Sequence, residues 1–346
     1  ARARGRGPMS TTWAADLTSA EAIALIEAAG TPEDLFGGEG PFSGEGPFSG
    51  EGPFGGDAGR SYRRLARLTH PDTHPGDARA ARAFAKLTEL WRRHQDGCGP
   101  LVARGDIANL YQTRQGVLKI ARDPADNDLM RREAVALAQL RDRVAARLQA
   151  YFPQLVEAQR RPDPRSGRQH RANVIGRLTG FRSLAEVRAA FPLGVDPRDA
   201  GWMWRRLLVA VGAAHRAGVI HAAVLPEHVM IHPGEHGLVL VDWCYSGPAP
   251  DVQVRAVVKR YLPWYPPEVV SDHTAGPDLD IWLATRCMTE LMGDLMPAPM
   301  ASFARGCLLA NPRRRPSDAW QLLAELDELL ERLYGPRTFR PFAIPA

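Results

Sequence analysis

Residues 218–244, GVIHAAVLPEHVMIHPGEHGLVLVDWC, limit what this chain can fold into more than any other stretch. Two short apolar runs, at 229–231 and 238–241, flank a polar turn at Pro233-Gly234-Glu235. Runs of β-type residues on either side of a Gly-containing turn read as a hairpin. A loop bearing His221 leads into it, and Asp242 stands at its far end among apolar residues. From Gly194 onward the remaining spacing is mainly helical, so the hairpin has to sit inside a helical half.

The chain has 346 residues, 45% of them hydrophobic, enough for two domains with real cores. The formal net charge of +5 is modest, and the cations lie along helices beside Asp and Glu without aromatic interleaving. A solvated surface is expected, with no nucleic-acid partner. Arg, His or Gly interrupts every apolar run before it reaches membrane-spanning length, so no membrane partner is expected either. Cys98, Cys244, Cys287 and Cys307 are far apart with no C-x-x-C pair, which points to a reducing cytoplasm. Of 44 cationic residues only Lys86, Lys119 and Lys259 are lysines. With abundant Ala this reads as a bacterial coding bias, and it draws attention to any Lys whose compact point charge has a use. Residues 1–13 are expected to be flexible, with Gly7-Pro8 ahead of Met9 reading as a tag remnant.

Residues 14–96 form the first expected domain. A short helix at 19–29 has Ile23, Leu25 and Ile26 apolar. The repeat at 38–56, GEGPFSGEGPFSGEGPFGG, cannot bury enough surface to offset its ordering entropy and is expected to be a flexible insertion. Two amphipathic helices then span 59–94, broken by HPDTHPGD at 70–77. On the first, Tyr62, Leu65, Ala66 and Leu68 share one face, and Arg60, Arg63, Arg64 and Arg67 fill the other. On the second, Phe84, Leu87, Leu90 and Trp91 face inward. This pair, joined by a loop opening with His70-Pro71-Asp72, resembles the J-domain of DnaJ co-chaperones. The resemblance implies that His70, Pro71 and Asp72 stimulate the ATPase of a DnaK-type chaperone. It also implies electrostatic docking by Arg63, Arg64 and Arg67. The first helix matches poorly, and neither a Gly/Phe-rich segment nor a Cys-rich zinc domain follows the pair.

After a linker at 97–100, residues 101–179 read as a small β-rich lobe: strands over 101–113, a turn at Arg114-Gln115-Gly116, then VLKIA. A helix follows over 128–147 with Leu129, Val135, Leu137 and Leu140 apolar, and more strand-like sequence at 154–160 and 171–178. Residues 180–335 form a larger helical lobe, and 336–346 a tail. The expected class is α+β, an all-α helical hairpin followed by two lobes. From about 101 to 333 the chain is similar to protein kinases. The resemblance implies that Lys119 pairs with nucleotide phosphates, that Glu133 holds Lys119, and that Asp242 holds magnesium. His221 matches the catalytic-loop histidine, but Ala223 replaces the catalytic Asp and His228 the metal-binding Asn. Trp243 and Cys244 follow Asp242 where the family has Phe and Gly. Only Gly105 remains in the phosphate loop at 103–109, and Asp106 would turn a negative charge towards phosphate. Glu268, Asp280 and Arg315 fit architectural positions, with a buried Glu268–Arg315 ion pair expected.

Phosphoryl transfer needs a carboxylate near the acceptor hydroxyl and oxygen ligands for magnesium. Ala223 accepts no proton, and loss of a general base alone removes roughly 10²–10⁴-fold in rate. The expectation is a catalytically inactive pseudokinase domain that requires no cofactor and holds ATP and magnesium only weakly. Fused to a J-domain, it would be a cytoplasmic co-chaperone adaptor whose kinase-like part binds a client or signalling protein. Two alternatives stay open: a divergent active Ser/Thr kinase with a J-domain docking arm, or an allosteric regulator of a separate kinase or phosphatase.

Overall fold

The computed structural model describes residues 17–36, 58–96, 101–113, 116–162 and 168–345. The expected flexible start, the repeat at 38–56, the linker at 97–100 and positions 114–115 of the turn lie outside them. The chain divides into two compact units, residues 1–103 with 111–114 and residues 104–110 with 115–346.

The helical part of the first unit contains α1 (Ser19–Ala28), α2 (Pro32–Phe36), α3 (Ala58–Thr69) and α4 (Ala78–Asp96). Thr18 and Glu21 start α1 with a reciprocal capping box, which satisfies two end groups at once. Asp77 starts α4 by accepting the Arg79 and Ala80 N–H groups at 2.8 and 3.1 Å. The core is Ile26, Leu35, Leu65, Leu87 and Leu90, all buried. Tyr62 stacks on Trp91 at 4.7 Å. The helix α2 was not anticipated; Asp34 fixes it by accepting the Gly30 and Thr31 N–H groups at 2.8 and 2.7 Å. Arg64, expected on the open face of α3, is half-buried, whereas Ser61 and Thr69 are buried.

The strands β1 (Leu101–Arg104), β2 (Ala108–Gln112), β3 (Gly116–Ala121), β4 (Leu155–Pro162) and β5 (Gln169–Gly176) form a sheet in the order β1-β2-β3-β5-β4. Between β3 and β4 runs α5 (Asn127–Arg143). The register sets Lys119 on β3 opposite Asn173 on β5. The Asn173 amide donates to the Met130 carbonyl and to Glu133 on α5, both at 2.9 Å, and so fastens the helix to that face. The helix is shorter than the expected 128–147. The side-chain amide of Gln149 donates to the Leu140, Arg141 and Val144 carbonyls at 3.1, 3.0 and 2.7 Å, which supplies the end groups a longer helix would have satisfied. Val135, read as part of the apolar face, is 55% exposed.

The remaining elements are β6 (Arg182–Ser183), α6 (Leu184–Ala190), α7 (Pro197–Arg216), β7 (Val219–Ile220), β8 (Val229–His232), β9 (Gly237–Leu240), β10 (Gly247–Pro248), β11 (Val252–Gln253), α8 (Pro267–Asp272), β12 (Thr274–Ala275), α9 (Pro277–Met292), α10 (Ala298–Cys307) and α11 (Ala319–Tyr334). The expected hairpin is β8–β9, joined to β6 on its outer side. The half read as mainly helical also carries the two-residue ladders β7–β10 and β11–β12. Buried residues lie all around α7, as expected of a helix enclosed by others. At Gly212 a Cβ would lie 2.6 Å from the Trp320 ring, so glycine is what lets α11 approach α7. Arg315, 6% exposed, forms the expected ion pair with Glu268. It also reaches Asp278 at 3.2 Å and lies over the Trp282 ring at 4.4 Å.

Past α11 the chain returns along this unit. Arg340 bonds Asp199 at 3.2 Å, and Phe342 stacks on Phe191 at 5.6 Å with Trp202 on its other side at 6.2 Å. Phe342→Ala should therefore lower unfolding free energy by about 3 kcal/mol, the cost of deleting a buried aromatic ring. Urea titration measures this; a loss below about 0.5 kcal/mol would mean that the tail is not part of the fold.

Candidate functional site

Lys119 leaves β3 into a nearly closed cage and is 5% exposed. Its ammonium donates to Glu133 Oε1 at 3.0 Å, Asp242 Oδ1 at 2.7 Å and Cys244 Sγ at 3.1 Å. An ammonium has three hydrogens, and these three acceptors use them all. Burial opposes the charge of Lys119, but the carboxylates of Asp242 foremost and of Glu133 outweigh it and hold the pKa well above the ordinary lysine value. Burial likewise opposes the Asp242 carboxylate, yet Lys119 and His228 keep its pKa far below the usual range. The Cys244 thiol is pushed well up, first by burial, and stays protonated. The cage thus holds one cation, two carboxylates and a neutral sulfur.

A second buried carboxylate shapes the loop before the hairpin. Asp280 on α9 is fully buried and accepts the His221 and Ala222 N–H groups, each at 2.8 Å, and His215 Nε2 at 2.9 Å. Burial works against its charge, but the His215 contact and these donors prevail and lower its pKa. The two N–H contacts hold Ala222 at φ 62°, a left-handed conformation that costs a non-glycine residue about 1 kcal/mol. His221 points inward, with Nε2 donating to the Val241 carbonyl at 3.0 Å and Nδ1 accepting the Ala223 N–H at 3.2 Å. That pattern belongs to the neutral ring, and burial lowers its pKa to about 4. Trp243 packs edge-on against it at 4.5 Å.

His228 donates from Nδ1 to the Ala223 carbonyl at 2.8 Å, which turns Nε2 towards Asp242 Oδ2 at 3.4 Å. Both oxygens of Asp242 are therefore engaged, one by Lys119 and one by His228. Glu133, Asp242 and Cys244 carry ligand atoms within 4.8 Å of one another, the spacing of a metal site. The Lys119 ammonium already bonds all three, however, and magnesium prefers free oxygen donors to sulfur or imidazole. The donor set does not fit magnesium. Near the same site, Asp106 is exposed, and its charge acts on Tyr245, whose phenol is raised chiefly by burial and by Asp242. Glu227 Oε1 is bound by Tyr261 Oη at 2.8 Å and Arg260 at 2.6 Å, whereas its Oε2 is buried without a hydrogen-bond partner.

Lys119, Glu133, Asp242, His221, Ala223 and His228 thus converge on one site. In the helical unit, His70, Pro71 and Asp72 form the loop between α3 and α4. His70 Nδ1 accepts the Asp72 N–H at 3.2 Å, and its ring rests edge-on against Phe84 at 5.0 Å. Pro71 and Asp72 are exposed, as are Arg63 and Arg67 one turn apart on α3. Three residues of the kinase-like site were not foreseen. Cys244 closes the cage, Asn173 orients Glu133, and Gln149 ends α5. Cys244 had a local signal, its place two residues after Asp242; the other two act across long separations that no spacing announces.

No family model matches the sequence. Among curated proteins, the chain is similar to casein kinase II subunit alpha' of Saccharomyces cerevisiae, at 34% identity over 106 residues. The aligned part is 30% of this chain and 30% of that protein's length. The finding supports a distant kinase relationship and a kinase-like α+β fold.

Replacing Lys119 by Met would leave Glu133 and Asp242 buried and unpaired. The expected loss of stability is about 3–5 kcal/mol, as for a broken buried ion pair. Denaturant unfolding without nucleotide tests it, and a change under about 1 kcal/mol would show that the cage holds nothing together.

His221 adds a pH dependence. Its folded pKa of about 4 lies below the unfolded value near 6.5, so the folded state prefers the neutral ring. Its contribution is complete above about pH 6.5 and declines as pH falls towards 4, by about 3 kcal/mol in all. Unfolding free energies at about pH 7.5 and pH 5 should differ less in His221→Gln than in the parent chain. Equal slopes would contradict the burial of this imidazole.

Proposed function

We propose that this chain is a co-chaperone adaptor with a kinase-like unit that binds a protein client or signalling partner and does not transfer phosphate. The observation that carries the reading is the saturated Lys119 ammonium, held by Glu133, Asp242 and Cys244. A nucleotide phosphate would have to displace Asp242, and a metal would have to compete with Lys119 and His228 for its oxygens. Ala223 adds no base beside the loop. ATP with magnesium therefore binds weakly, and the retained fold serves recognition.

The helical unit is proposed to recruit a DnaK-type ATPase. Support comes from the open His70-Pro71-Asp72 turn and from Arg63 and Arg67 on the outer face of α3, a charge arrangement suited to an acidic docking surface. Arg64 is half-buried and contributes less to that surface.

Two measurements test the halves separately. Steady-state ATP hydrolysis by a DnaK-type chaperone should rise when the chain is added, and the rise should vanish in His70→Gln; no rise overturns the co-chaperone half. Incubation with γ-labelled ATP and protein acceptors should yield no transfer above background. Transfer that disappears in Lys119→Ala would establish an active kinase, the reading to which the casein kinase similarity otherwise leads.

A further inference from the structure

The antiparallel pair β4–β5 sets Ala158 opposite Asn173 and Arg160 opposite Arg171. Asn173 bonds to α5, so its face of the sheet is the one the helix covers. Side chains two apart on a strand share a face, which places Arg171, and Arg160 across from it, on that side beside the start of α5. Asn127, the first residue of α5, fixes the position. Its side chain accepts the Arg171 N–H at 2.6 Å and donates to the Gln169 carbonyl at 2.7 Å. Arg131, one turn along the helix, brings a third guanidinium. Burial lowers the Arg171 pKa, and the positive charges of Arg160 and Arg131 lower it further. Asp128 acts on Arg132, and Glu157 lies on the opposite face of β4 from Ala158.

Like charges set directly opposite in a sheet are destabilising. Arg160 opposite Arg171, with Arg131 bearing on the same guanidinium, therefore costs the free protein stability, and a bound oxyanion would reverse the sign. The planar guanidinium fork fits phosphate with paired hydrogen bonds. Two features indicate what carries the phosphate. Val135, on the α5 turn after Arg131, presents an apolar side chain to solvent. The strand β4 is the edge of its sheet, with Val156, Glu157, Ala158 and Arg160 exposed, so an extended polypeptide can align beside it. We propose that Arg131, Arg160 and Arg171 form a binding site for a phosphate monoester on a polypeptide segment, with Val135 receiving an apolar side chain of that segment. The site is separate from the Lys119 cage, and the inference holds whether or not the unit transfers phosphate.

The test is fluorescence anisotropy with the full chain and a labelled nine-residue peptide. The peptide carries one phosphoserine flanked by leucine and alanine, and its unphosphorylated counterpart is the reference. The phosphorylated form should bind at least about tenfold tighter, a difference that shrinks as salt is raised. The difference should vanish in R160Q/R171Q and persist in Arg182→Gln, a change at an exposed arginine on β6. Equal affinity for the two peptides overturns the proposal. So does tighter binding of an RNA oligonucleotide or of anionic vesicles, and so does inorganic phosphate competing as well as the phosphopeptide. A second readout needs no ligand. Removing one side of the repulsion should leave the thermal midpoint of R160Q/R171Q unchanged or raise it by about 1–2 °C. A fall of several degrees would make these arginines structural and end the idea.

Discussion

The buried carboxylate of Asp280 fixes the geometry on which the rest of the kinase-like unit depends. A charge with no exposure to water is tolerated only where hydrogen bonds replace its hydration. Asp280 obtains them from two consecutive backbone N–H groups and from His215 at the end of α7. This ties α9, α7 and the loop before β8 to one point. It also holds Ala222 in a left-handed conformation, which in turn directs His221 into the core under Trp243. The strain at Ala222 is small beside the cost of an unpaired buried carboxylate, so the loop follows the carboxylate.

The Lys119 cage obeys the same rule with the signs exchanged. Desolvating an ammonium costs several kcal/mol, and a single carboxylate does not offset that. Two carboxylates and a sulfur do, and the shift of Lys119 towards its charged form shows which effect wins. Cys244 matters through its size and polarity. A glycine in its place would leave the third hydrogen of Lys119 without a protein acceptor, whereas the thiol supplies one without adding charge. His228 does the equivalent for the second oxygen of Asp242. Cys244 and His228 thus each supply a partner to the Lys119–Asp242 pair.

Much of this was legible because it is local. The apolar runs around Pro233-Gly234-Glu235 have strand periodicity, and the structure pairs Val229 with Leu240 and Ile231 with Leu238. The pairing of Lys119 with Glu133 was implied by the resemblance to protein kinases, and the structure sets the two 3.0 Å apart. What could not be read depends on contacts across long separations. Asn173 is an unremarkable polar residue until the sheet sets it opposite Lys119. Val135 belongs to an apolar set by composition, but the rotation of α5 set by Asn173 and Gln149 turns it to solvent. The opposition of Arg160 and Arg171 is likewise a matter of register, and register between β4 and β5 includes a bulge at Val156 that no periodicity predicts.

The survival of Lys119 in a chain with so few lysines invites the inference that nucleotide keeps it there. The structure offers a different cause. An arginine could not replace it, because a planar guanidinium does not fit three acceptors converging on one nitrogen. A neutral residue would strand Glu133 and Asp242 away from water. Lys is thus the residue that the cage itself requires, with or without ATP. The same holds for Arg315, whose charge is absorbed by Glu268, Asp278 and the Trp282 ring. Charged residues at kinase-like positions therefore report the fold's need for neutralised buried charge. Evidence for chemistry has to come from groups that keep a free hydrogen-bonding site.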